Sequence, residues 1–147
     1  MIRKIRQEDK DIFLHMAEDF YHSEAVLHPI PKKNHQAVFE EMMRSEQYAE
    51  GYIIQWKDEI AGYGLLSKMF SQEAGGIVVW IEEVYVLPEF QGKGLGNTFF
   101  EYIQRELSPS VTRLRLEVEQ ENTRAVALYK RLGFKEMPYL QMVKEIN

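Results

Sequence analysis

Apolar residues recur along this chain in two periods, and the switches between them mark its elements. Ile12, Phe13, Met16, Ala17 and Phe20 stand at helical spacing and predict a helix over residues 11–22. Val38, Phe39, Met42 and Met43 share one side of a second helix, with Asn34 as its N-cap and an end near Ser45. Pro29 and Pro31 make the intervening residues 23–33 a loop or broken helix. Alternation predicts strands over 2–6, 51–56 and 60–67, the last two forming a hairpin around Asp58-Glu59. A second turn, 70–76, leads into the longest apolar run, 77–87, which Pro88 closes because it cannot donate to a ladder. Leu95, Phe99, Ile103 and Leu107 then fall four apart, a buried stripe on a helix over about 94–107 that Pro109 stops. Residues 111–119 alternate again, with Leu114, Leu116 and Val118 on one face and Arg113, Arg115, Glu117 and Glu119 on the other. A helix over about 123–132 ends at Gly133, in the C-cap position, and a last strand region covers 134–146, interrupted at Pro138. The order is β-α-α-β-β-β-α-β-α-β, an α/β (α+β) mix around a largely antiparallel sheet.

The chain has 147 residues, which suits a single domain over 1–147 with one core. Its 45% apolar and 28% charged residues argue against disorder. No apolar run approaches the ~20 residues that span a bilayer. The basic start, Met1 to Arg6, lacks an apolar segment behind it, so neither a signal peptide nor a membrane partner is expected and a cytoplasmic location fits. Without cysteine there are no disulfides, no thiolate nucleophile and no Cys-based zinc site. His15, His22, His28 and His35 show no metal-ligand spacing, and no metal is expected. The net charge of −5 and the lack of a basic stripe speak against nucleic acid and favour a cationic or neutral substrate.

Gln91-Gly92-Lys93-Gly94-Leu95-Gly96 stands where the long strand turns into the amphipathic helix. Such glycines let the backbone approach a ligand and converge its N–H groups, and the helix dipole adds to that pull, which suits a pyrophosphate. A tight strand-to-helix turn without a ligand would have the same composition. The turn is neither a P-loop, which needs Gly-x4-Gly-Lys-Ser/Thr, nor a dinucleotide fingerprint near a first strand. That weakens a nucleotide-binding switch.

A second block follows: Leu114-x-Leu116-x-Val118-x3-Asn122-x2-Ala125-x2-Leu128-Tyr129-x-Arg131-x-Gly133-Phe134. With Val84-Tyr85-Val86, Pro88 and Gln91-x2-Gly94-x-Gly96, it resembles the GNAT superfamily of N-acetyltransferases over about residues 77–135. Tyr129 in Leu-Tyr-Lys-Arg-Leu-Gly-Phe, with Ile-Glu-Glu upstream, is locally similar to the diamine acetyltransferase branch. The resemblance implies a GNAT-like fold, a mixed, largely antiparallel sheet of six to seven strands flanked by about four helices and splayed at the central strands. It also implies acetyl-CoA as acetyl donor. Backbone groups of Val84, Tyr85 and Val86 would pair with the pantetheine arm, and amides from Gln91 through Gly92, Lys93, Gly94, Leu95 and Gly96 would hold the pyrophosphate. Asn122 would reach the cofactor arm, or serve only as a helix cap. Tyr129 would lie near the thioester sulfur, or be an ordinary core tyrosine. Dimers are frequent in the family, and the last strand could offer a pairing edge for a homodimer.

The residue types suit the chemistry. An amine must be neutral to attack a thioester, and with a pKa near ~10.4 only about one in 10³ is neutral at pH 7. A carboxylate can take the proton, a strand N–H such as that of Val84 can meet the oxyanion, and a tyrosine can protonate the leaving thiolate. Glu82 and Glu83 interrupt the apolar central strand. Strand parity sends only one of them into the cleft unless a bulge alters it, and the family resemblance favours Glu82, since related sequences often place the acid one residue after an apolar position; both could instead pair with surface bases. The resemblance implies that the region after the first helix helps to line the acceptor pocket, which makes Phe20, Tyr21 and His28 candidates for substrate contact. Glu117 and Glu119 could attract a cationic acceptor, or merely pair across strands. The expected activity is direct acetyl transfer to a primary amine, on a polyamine-like or aminoglycoside-like molecule or a protein. The rival is a non-catalytic acyl-CoA-binding or sensing module on the same fold.

Overall fold

The computed structural model describes residues 1–24 and 26–146. Backbone packing divides the chain into two compact units, Met1–Leu116 and a C-terminal unit from Glu117 onward. The first holds a five-stranded sheet in chain order: β1 (Ile2–Lys4), β2 (Ala49–Trp56), β3 (Glu59–Ser71), β4 (Gly76–Val86) and β5 (Val111–Arg115). Three pairings are antiparallel and β4 runs parallel to β5, so the sheet is mixed.

Helices cover both faces. On one face, α1 (Lys10–Tyr21) places Phe13 edge-on to Tyr63 of β3 at 5.0 Å, and against Phe39 of α2 (Lys32–Arg44) at 5.8 Å. Met42 of α2 rides on bare backbone: a Cβ at Gly51 would sit 2.4 Å from its sulfur. On the other face lies α3 (Leu95–Glu106), in which Leu95, Phe99 and Ile103 of the expected stripe are buried, joined by Phe100, while Leu107 falls just past the helix as its C-cap and is half-buried. Phe99 seats on Gly64, where a Cβ would come within 2.1 Å of the ring. Each fully buried side chain of this kind contributes about 1.5–3 kcal/mol, so the two glycines matter by letting helices close on the sheet.

Several boundaries differ from expectation. The N-cap of α2 is Pro31, not Asn34; the Asn34 N–H donates to the Pro31 carbonyl at 2.9 Å, inside the first turn. The β2–β3 turn is Lys57-Asp58, both at positive φ (48° and 69°), the handedness a two-residue hairpin needs. β5 stops at Arg115, which leaves Glu117 and Glu119 off any strand. Residues 134–146 alternate like a strand, but among the described residues no strand is assigned there, and the sheet counts five strands rather than the expected six to seven.

The C-terminal unit contains α4 (Thr123–Arg131). Asn122 caps its start, the side-chain oxygen accepting from the Ala125 N–H at 3.2 Å. Its end is a Schellman turn: Gly133 (φ 96°) donates to Lys130 O, and Phe134 donates to Tyr129 O at 3.0 Å. The Phe134 ring meets that of Tyr129 edge-on at 6.0 Å, the apolar contact that accompanies such a turn.

Candidate active site

β4 changes character halfway along. From Ile77 to Trp80 it pairs with β3 on one side and β5 on the other, and Trp80 opposite Arg115 is the last rung toward β5. From Ile81 to Val86 only the β3 ladder continues among the described residues. The Leu87 N–H donates to Ala61 O at 2.8 Å. Antiparallel bonding alternates, so Tyr85 turns its backbone groups to β3 while Val84 and Val86 turn theirs to the open edge. Gln91 Nε2 reaches that edge and donates to Val86 O at 3.0 Å.

The register slips inside the open half. Leu65 faces Glu83, but Leu66 faces Ile81, so Glu82 is the extra residue of a β-bulge. The slip brings both carboxylates toward the α1 face. Glu83, 8% exposed, accepts one tyrosine hydroxyl on each oxygen: Tyr21 on Oε2 at 2.6 Å and Tyr63 on Oε1 at 2.7 Å. Glu82 is exposed and accepts from Ser67 Oγ at 2.6 Å, two residues along β3 from Leu65. Burial pushes the Glu83 carboxyl above the usual carboxylate range; the two hydroxyl donors pull against that, and the neighbouring Glu82 charge adds to it. Burial and the Glu83 charge push Tyr21 and Tyr63 well up, so both hydroxyls stay protonated donors.

Around this pair, Phe20 lies edge-on to Tyr85 at 6.0 Å and to Tyr21 at 5.4 Å. Phe20 and Tyr21 thus join the carboxylates. His28 is exposed, and no hydrogen bond, ion pair or ring contact ties it to them among the described residues. His35 belongs to the cluster and was not among the candidates. It is buried, with its ring 5.1 Å from that of Tyr21. Its sequence signal is positional, because 35, 39 and 42 continue one helical stripe.

The open edge runs on through Pro88 into the glycine turn. Gly92 and Gly94 take positive φ (80° and 75°), and Gly94 is the N-cap of α3. The first helical bond is Thr98 N–H to Gly94 O at 3.0 Å, so the N–H groups of Leu95, Gly96 and Asn97 precede the ladder at the positive end of the helix. Leu95 is buried and anchors the turn, while residues 91–94 are exposed. A Cβ on Gly96 would meet no atom within 4 Å; packing within the protein does not require glycine there, and its absence of side chain leaves the amides open to an anion. Lys93 Nζ sits over the Trp56 ring, 5.3 Å from its centroid.

In the C-terminal unit, burial pushes the Tyr129 hydroxyl above its ordinary pKa, so it holds its proton through the neutral range. Lys130 pairs with Glu136 at 3.5 Å, and Glu117 and Glu119 are exposed. Among the described residues no group of three or more His, Asp or Glu is arranged to hold a metal ion.

Known proteins share this architecture. The model of the Acetyltransferase (GNAT) family matches residues 10–134. The thialysine N-epsilon-acetyltransferase of Mus musculus is 27% identical over 150 aligned positions, which cover 92% of this chain and 84% of that protein. A possible acetyltransferase from Clostridium difficile 630 superposes with a TM-score of 0.86 at 23% identity, over 100% of this chain and 97% of the other. The aminoglycoside N-acetyltransferase AAC(6')-Iy, solved with the bisubstrate analogue CoA-S-monomethyl-acetylneamine, superposes with a TM-score of 0.78 at 18% identity, over 100% and 98%.

Proposed function

The chain belongs to the acetyltransferase (GNAT) family, and from that premise we propose that it is an N-acetyltransferase carrying an acetyl group from acetyl-CoA to the primary amine of a small cationic acceptor. The observation that carries this reading is the half-open β4. Its bulge presents two carboxylates on one face, and its open edge leads into the bare amides at the start of α3. Family members whose names specify thialysine and aminoglycoside acceptors support the choice of an amine, and the AAC(6')-Iy complex supports CoA as the donor's carrier.

The residues divide the work. The amides of the glycine turn and of Leu95 and Gly96 hold the pyrophosphate, and Val84 and Val86 pair with the arm along the open edge. Glu82, the exposed member of the pair, takes a proton from the ammonium, directly or through a water. The neutral nitrogen attacks the thioester carbon, and the N–H of Val84 meets the charge that forms on the carbonyl oxygen. As the C–S bond breaks, the sulfur takes a proton; the family resemblance assigns that donation to Tyr129, which burial keeps protonated. The products are the N-acetylated amine and free CoA thiol. Glu83 stays behind Glu82 as a fixed anion that draws the cationic acceptor.

Release of CoA thiol from acetyl-CoA in the presence of diamines, lysine analogues and aminoglycosides tests this reading, with acetyl-CoA binding measured beside it by calorimetry. Turnover with at least one amine class is the expected result. Tight binding with no turnover across the panel would make the chain an acyl-CoA sensor instead.

A further inference from the structure

His35 has no part in the scheme above, yet it stands directly behind a group that does. It is 4% exposed, and its ring tilts at 58° against that of Tyr21 with centroids 5.1 Å apart. Tyr21 is the last residue of α1, where helices fray. It nevertheless delivers its hydroxyl to Glu83, 62 positions away in sequence, at 2.6 Å. Phe20 touches Tyr21 from the same helix; His35 comes from α2, so it supplies the support that α1 cannot give itself. Among the described residues the buried His35 Nε2 has no hydrogen-bond partner, and Glu18 Oε2 lies at 3.6 Å, beyond hydrogen-bonding length. A hydrogen bond from that nitrogen is therefore not what the position provides. What it presents to Tyr21 is a flat ring.

We propose that His35 is a positioning residue: its ring fixes the Tyr21 ring so that the hydroxyl stays on Glu83 and the carboxylate pair keeps its charge. The proposal rests on the acetyl-transfer reading for its consequence, but not for its geometry. Glu83 is faced by Glu82 from its own strand, Tyr63 from β3 and Tyr21 from α1. His35 is faced by Glu18 and Tyr21 of α1, and by His22 just after it. Of these, only the hydroxyls of Tyr21 and Tyr63 donate to Glu83. If Tyr21 swings away, Glu83 loses one of its two donors and holds its proton to higher pH. The pair is then less charged toward an ammonium acceptor.

Three variants separate this role from a merely structural one: His35→Gln, which keeps size and polarity but loses the ring, His35→Phe, which keeps the ring, and Tyr21→Phe, which removes the hydroxyl alone. The Glu83 carboxyl is titrated by carbon NMR in each, and the acid limb of kcat/KM for the amine is measured beside it. His35→Gln should move both upward, by about one pH unit, with the KM for acetyl-CoA unchanged. Tyr21→Phe should move them in the same direction, and the double variant no further, because both act through one hydroxyl. His35→Phe should restore the wild-type position. A folded His35→Gln with an unmoved Glu83 titration would overturn the proposal, and so would a His35→Phe that shifts as far as His35→Gln. The titration reads Glu83 without turnover, so an inactive wild type would sink the acetyl-transfer reading and leave this test standing.

Discussion

The two halves of β4 are one strand under opposite conditions. From Gly76 to Trp80 it is flanked on both sides, and Val78 and Val79 are about 1% exposed. From Ile81 to Val86 only β3 flanks it among the described residues, it is bulged at Glu82, and two carboxylates and Tyr85 stand among its aliphatic residues. A doubly paired strand satisfies its own backbone and leaves nothing to offer a ligand. A singly paired one keeps a row of donors and acceptors in hand, the condition a protein ordinarily avoids. The difference teaches that the unpaired edge of β4 begins where the β5 ladder ends and, through Val84 and Val86, runs on toward the amides at the start of α3.

The largest effect should come from forcing the two halves to separate from β3. A Cβ at Gly62 would stand 2.1 Å from the Tyr85 carbonyl oxygen, a backbone atom that cannot rotate away. Gly62→Ala should cost more than about 4 kcal/mol, in the range reserved for overpacked cores, or prevent folding at 37 °C. Gly96→Ala, whose new methyl meets open space, should leave the urea midpoint within about 0.5 kcal/mol of wild type. Equal midpoints for the two variants would show that the β3–β4 contact is looser than its geometry requires.

Next in size is the loss of the exposed carboxylate. Glu82→Gln removes the group proposed to take the proton and should lower kcat by about 10² to 10³, within the usual span for general base catalysis. Because Glu82 is exposed and bonded only to Ser67 among the contacts described, the melting temperature should hold. A variant that keeps its rate at every pH would remove Glu82 from the chemistry and return attention to Glu83.

Glu83 sharpens the contrast through pH. Its folded pKa is raised above its unfolded value. In the interval between those values the folded state binds more protons than the unfolded one, so this group lowers stability as pH rises through the interval and restores it as pH falls. Asp9, clamped by Arg3 at 2.8 and 3.0 Å and by the Arg6 N–H, is the reverse case: its pKa is lowered, and its contribution is lost as pH falls through the folded value. Glu83→Gln should therefore flatten the decline in stability just above the ordinary glutamate range, and Asp9→Asn should weaken the protein at neutral pH. Chemical denaturation from pH 4 to 7 reads both signs, and an unchanged profile for Glu83→Gln would contradict the cost assigned to its burial.

What the sequence revealed follows from how local each feature is. The α3 stripe, the Pro88 stop, the glycines of the turn and the Asn122 cap are all written within a few residues of where they act, so periodicity and turn chemistry find them. The Glu82 bulge is not local: it exists only because Leu65 and Leu66 fix the register from the neighbouring strand. Tyr21 reaches Glu83, and His35 reaches Tyr21, through tertiary packing, and nothing in residues 21 or 35 announces an acid in that cluster. Residues 134–146 mislead in the other sense. Their alternation satisfies one condition for a strand, but a ladder needs a second chain segment, and among the described residues no strand is assigned there.

The smallest predicted effect lies at the boundary between the halves. Trp80 and Arg115 form the last rung of the β4–β5 ladder, and the Arg115 guanidinium lies over the Trp80 ring, 4.2 Å from its centroid. The contact closes the doubly paired half at the point where the strands part. An exposed or half-exposed pair of this kind is worth about 0.5–1 kcal/mol, so Arg115→Ala should lower stability by that amount and no more. Its informative consequence is local. With the clamp gone, amide exchange should quicken at Trp80 and Val79 while the rungs at Ile77 and Val78 keep their protection, because fraying proceeds from the open end. Arg115→Lys should restore little, since an ammonium cannot stack flat on the indole. Uniform acceleration along the whole strand would mean that the two halves of β4 open as one unit, and that the distinction between them is one of chemistry alone.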